Sequence, residues 1–159
     1  MTTGRAIAYG ALTVGVLDIT DALVFFGVRG VPPVRIFQSI AAGLLGRASY
    51  SGGLPTAVLG AALHFFIAFV IVLTFMLGSK QIPMLRRHPV VSGLAYGVAV
   101  YLVMNLVVLP LSAVGRPTFV LPVVINGILI HMFGVGLPSS LFARAAHASD
   151  GGAAVMRSQ

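Results

Sequence analysis

Residues 6–28 read AIAYGALTVGVLDITDALVFFGV, an apolar run whose only charged residues are Asp18 and Asp21. A helix crosses a bilayer in about 20 predominantly apolar residues at 1.5 Å rise each, so this run suffices. It is too long for the core of a signal peptide, and no small-x-small cleavage site follows it. It is therefore expected to persist as a helix of the mature protein. Working outward, three more runs of sufficient length follow, at about residues 54–78, 89–114 and 118–143. The fold class expected is all-α, an integral membrane bundle of four transmembrane helices.

Composition agrees. Of 159 residues, 58% are hydrophobic and only 8% charged, against about 25% in soluble domains, and the mean hydropathy is +1.03. The formal charge of +7 could suggest a nucleic-acid partner. The basic residues form no patch, however, but flank the apolar runs, where they set topology and meet anionic headgroups. The expected surroundings are the lipid bilayer, with no nucleic acid. The chain has no cysteine, which excludes disulfides, thiolate catalysis, iron–sulfur clusters and cysteine zinc sites.

Residues 33–50 differ from the four long runs. Pro32 and Pro33 suit a helix start. Val34, Phe37, Ile40, Ala41, Leu44 and Leu45 then recur at helical spacing, with Arg35, Gln38, Ser39 and Arg47 between them. This pattern predicts a fifth, amphipathic helix, interfacial or re-entrant, ended by Ser51-Gly52-Gly53. Residues 1–143 form a single transmembrane domain in this reading, and 144–159 a mobile polar tail.

An even number of spans puts both termini on one side. That side collects Arg5, Lys80, Arg86, Arg87, Arg144 and Arg157, whereas the other holds Arg29, Arg35, Arg47 and Arg116. The bias predicts cytoplasmic termini.

Six polar residues stand far from the span ends: Asp18, Asp21, His64, Asn105, Asn126 and His131. Counted from the face bearing the loops near residues 28–54 and 114–118, all fall roughly 10–20 Å deep. Asp18 and Asp21 share a helix face. Gly60, His64 and Ala68 form a stripe on the second span, Gly93, Gly97, Tyr101 and Asn105 on the third, and Gly127, His131 and Gly134 on the fourth. Small residues mark contact faces between helices in lipid, so these polar groups are expected to point inward. Asn126 is the exception, about 140° around its helix from His131, and is expected to bridge to a neighbouring helix.

Ionisable groups in hydrocarbon are costly and so point to function. The spans contain no interior Lys or Arg. Two carboxylates three residues apart in low dielectric must therefore share a proton, pair with a protonated His64 or His131, or hold a cation. Asp18, Asp21, His64, Asn105 and His131 are the proton- or ion-binding candidates. Asp18, Asp21, His64 and His131 are also a possible ligand set for a metal, although no His-Glu-x-x-His or di-iron motif is present. No nucleophile elbow, P-loop or dinucleotide fingerprint occurs either, and no cofactor is required by the sequence. Pro110, Pro122 and Pro138 lie in or near span ends, where they kink a helix or shape its terminus.

The stretches Asp18-Ile-Thr-Asp21, Arg29-Gly-Val-Pro-Pro33, Gln38-Ser-Ile and Tyr101-Leu-Val-Met-Asn105 resemble a group of small four-helix bacterial inner-membrane proteins of uncharacterised function. His131 early in a late helix, and the Gly-rich third span ahead of a proline, are also loosely similar to YagU-like inner-membrane proteins, though the longer polar insertions of that group are missing. The resemblance implies a bacterial inner-membrane location and no mechanism. Three functions remain open on sequence. One is a proton- or ion-binding or transporting protein, as a homo-oligomer if four helices are too few. The others are an accessory or assembly subunit of a larger membrane complex and an intramembrane metalloenzyme.

Overall fold

The computed structural model describes the backbone of residues 1–116 and 118–156, with side chains through residue 148; Arg157 and the end of the expected tail lie outside the described residues. All regular structure among these is helical. α1 is Thr3–Gly27, α2 Pro33–Leu45, α3 Gly53–Gln81, α4 Pro83–Arg87 and α5 Pro89–Leu111; α6 covers residues 121–156. A 3₁₀ segment, Gly46–Ser51, links α2 to α3. Four helices are long and apolar enough to cross a membrane: α1, α3, α5 and Leu121–Ala148 of α6. They match the four expected runs to within about five residues.

Local chemistry sets the boundaries. Thr2 caps α1 by accepting the Arg5 amide on its hydroxyl, one of the donors that the first helical turn leaves unsatisfied. Prolines occupy the first turns of α2, α4, α5 and α6, where no amide hydrogen is missed. α2 stops at Leu45, short of the expected residue 50, because Gly46 turns the chain at φ 60°.

The bundle packs through small residues. Val14, Ala68, Val72, Val100 and Val135 make one buried cluster between α1, α3, α5 and α6. Ala6, Phe75, Met76, Ala143 and Ala146 make a second, nearer the termini. α5 and α6 approach backbone to backbone: a methyl group at Gly97 would collide with the His131 carbonyl, and one at Gly136 with the Gly93 carbonyl. Large apolar side chains such as Leu12, Val24, Val58 and Phe66 are left facing outward.

Two features at the ends of the bundle add to the expected outline. The helix of the fourth run does not give way to a tail at residue 144 but continues to Met156. Ala146 is fully buried beside Ala6 and Met76, and His147 bonds Ser79 at 2.9 Å, so the helix is packed through residue 147. On α2, part of the apolar stripe faces away from the bundle. Ile36, Gln38, Ala41 and Ala42 are buried, whereas Val34, Leu44 and Leu45 face outward. The cause is close approach to α3: Phe37 lays its carbonyl against Gly60, where no side chain fits between. Contact that tight selects small residues inward and turns the bulky ones out.

Gln38 fastens this contact. It is 3% exposed, and its amide donates to the Gly53 carbonyl at 2.9 Å and to the Thr56 hydroxyl at 3.3 Å. Ser49 returns a bond to the Gln38 carbonyl, and Thr56 one to the Ser49 carbonyl. The loop after α5 adds another tie, from the Ala113 amide to the Gly43 carbonyl at 3.0 Å. Gln38→Ala removes both amide bonds, each worth about 0.5–1.5 kcal/mol, and is expected to cost about 1–3 kcal/mol. It should lower the midpoint of thermal unfolding in detergent and speed proteolysis of residues 46–52.

Candidate functional site

α2 lies across one end of a cavity of about 550 Å³ enclosed by α1, α3, α5 and α6. Four of the residues singled out by depth line it: Asp18 from α1, His64 from α3, Asn105 from α5 and His131 from α6. The remaining wall is mainly apolar, including Val14, Ile19, Phe26, Ile67 and Val135.

The two histidines are oriented by backbone carbonyls. His64 Nε2 lies 2.8 Å from the Gly15 carbonyl, and His131 Nδ1 2.8 Å from the Gly127 carbonyl. A carbonyl only accepts, so each of these nitrogens carries a hydrogen and donates. In a neutral ring the other nitrogen is then a bare lone pair. For His64 that nitrogen is Nδ1, and it faces Asp18 Oδ2 at 3.9 Å. Two acceptors oppose each other there unless a proton resides on one of them or a cation lies close by. The His64 side chain is 10% exposed and that of Asp18 27%, so water screens the pair only from the cavity. His131 and Asp21 lie within electrostatic range of Asp18, and the Tyr101 ring meets His131 edge-on at 5.5 Å.

The Asp18–Asp21 pair is divided. Asp21 does not line the cavity; its Oδ2 accepts from the Asn126 amide at 2.7 Å, joining α1 to α6. Three residues along a helix leave 60° between side chains, enough here to send one carboxylate into the cavity and the other toward α6. Asn126 thus meets a neighbouring helix, as its phase suggested. Asn105 donates to its own helix, at the Tyr101 carbonyl, 2.9 Å away. Among the described residues no three His, Asp or Glu side chains gather into a group that could hold a metal ion. A double-mutant cycle of Asp21→Ala with Asn126→Ala should return a coupling of about 0.6–1.7 kcal/mol in unfolding experiments, the range of interhelical hydrogen bonds in bilayers.

Sequence reasoning missed two contributors. Arg35 and Tyr50 line the α2 end of the cavity. Arg35 donates to the Tyr50 carbonyl at 3.1 Å and sits 5.3 Å from the Tyr50 ring centroid. A permanent cation therefore shares the cavity, although no span contains one. The other miss is backbone geometry. Asn105 and His131 both lie in π-helical turns, Met104–Val108 and His131–Gly136, in which Leu109 bonds back to Met104 and Leu137 to Met132. Each wide turn lies just ahead of a proline, Pro110 or Pro138, whose ring displaces the carbonyl four residues earlier and removes one bond. Such bulges recur at functional sites, and the prolines were the available signal. Pro122 only opens α6.

Comparisons with protein-family models, curated proteins and solved structures return no match, so the chemistry of this site rests on its own residues.

Proposed function

We propose that this chain is a multi-pass protein of a bacterial inner membrane, with both termini cytoplasmic, and that its cavity is a proton-responsive site through which protons cross the bilayer. The observation that carries the reading is the opposition of His64 Nδ1 and Asp18 Oδ2, with the other His64 nitrogen committed to Gly15. The dyad has room for one proton. Taking it up turns two facing lone pairs into an ion pair or a neutral acid beside a neutral imidazole. Asn105 and His131 supply further polar contacts on the same cavity wall. A volume near 550 Å³ exceeds what one ion needs and falls among small-molecule sites. A small solute or hydrated ion can therefore enter and compete for or respond to the dyad proton.

Purified protein in liposomes carrying an internal pH dye tests this reading. Wild type is expected to take up protons after an external acid step, and Asp18→Asn to lose the response. Equal responses from both would end the proposal.

A further inference from the structure

A second site stands at the opposite end of the bundle, away from the α2 loops. α3 ends at Gln81, α4 turns the chain, and Pro83, Arg86 and Arg87 face Arg144, His147 and Ala148 of α6 across a pocket of about 390 Å³. The arginines come from elements 57 residues apart in sequence (Arg87 to Arg144), so this is not simply a charge run. Packing holds both walls. Leu85 rests against the Ala6, Phe75 and Met76 cluster, and Ala143 and Ala146 seat α6 on the same cluster. His147 is tied to the Ser79 hydroxyl, which itself gives its hydrogen to the Met76 carbonyl. Among the described residues no carboxylate lines the pocket.

Three guanidiniums around one concavity match the planar, multiply accepting oxygens of a phosphate. Ile82 and Met84, 51% and 68% exposed, flank the arginines on the same short turn. Exposed apolar side chains on the turn that carries Arg86 and Arg87 are redundant for free phosphate but suit the acyl chains of a lipid. We propose that Arg86, Arg87 and Arg144 form a binding site for the phosphodiester headgroup of an anionic phospholipid. The site rests on the reading that α3 and α6 span the membrane, and it is independent of the Asp18 cavity.

Native mass spectrometry of the full chain in neutral detergent tests it with three probes: phosphatidylglycerol, phosphatidylcholine and inorganic phosphate. Wild type is expected to retain one phosphatidylglycerol in preference to phosphatidylcholine, and phosphate is not expected to compete at equal concentration. Each of Arg86→Gln, Arg87→Gln and Arg144→Gln should weaken retention about fivefold, as loss of one basic residue near an anionic surface does, whereas Arg29→Gln at the other end should not. Unchanged helical circular dichroism shows that a variant is folded, and Arg144→Lys supplies a charge-conserving second variant with partial retention. Equal retention by wild type and all three Gln variants overturns the proposal, as does effective competition by phosphate. Failure of wild type to float with phosphatidylcholine vesicles would instead strike at the membrane reading itself.

Discussion

Asp18→Asn is expected to abolish proton uptake by the reconstituted protein, at least tenfold below wild type, while leaving the helices assembled. Asparagine keeps the shape of the side chain but cannot gain or lose the proton. Its amide can donate to the bare Nδ1 of His64, which removes the opposition of lone pairs and quenches the dyad in one state. His64→Gln should give a similar loss by a different route, since glutamine can still meet the Gly15 carbonyl but does not titrate. Asp21→Asn makes the contrast. That carboxylate serves Asn126 outside the cavity, so uptake should persist and only stability fall. If Asp18→Asn and Asp21→Asn proved equivalent, the division of the pair would have no functional meaning. Infrared difference spectra of the carboxyl stretch between acid and neutral pH read the same distinction without transport.

Gly97→Ala should be among the most damaging single-methyl changes in the bundle. The new Cβ would enter the His131 carbonyl and the Met132 backbone, and neither can yield as a side-chain tip would. Overpacking of this kind costs about 1–3 kcal/mol, and relief requires α5 and α6 to part. His131 moves with that parting, so proton uptake should be altered together with the melting temperature. Gly43→Ala is the control. It lies in α2 with nothing within 4 Å of the added methyl group. It should be neutral or gain up to about 1 kcal/mol from helix propensity. Opposite signs at two helical glycines would show that backbone approach, not glycine content, decides the outcome.

Length and apolarity alone made the four long helices readable. Depth counting then placed Asp18, His64, Asn105 and His131 at one level, and these four line one cavity. Counting fixes height along a helix but resolves azimuth poorly. It therefore missed the 60° that separates Asp21 from Asp18, while the larger angle of Asn126 was visible. Periodicity on α2 marked an apolar stripe but not which residues meet the bundle. Against Gly60 the backbones approach closely, and Gln38 goes in while Leu44 stays out. The polar composition after residue 143 suggested a tail, yet alanine is both the best helix former and small enough to pack at Ala146. Arg35 was invisible as a cavity residue because a charged side chain on an interfacial helix is expected to meet water or headgroups.

The bond from Ala113 to Gly43 joins α2 to the short connection between α5 and α6. Those two helices carry Asn105 and His131, each in a widened turn. The roof over the cavity and two of its walls are thus geared together. A guest that pushes the walls apart also tugs on the roof, and an outside contact that draws α2 aside reaches the buried polar groups without touching them.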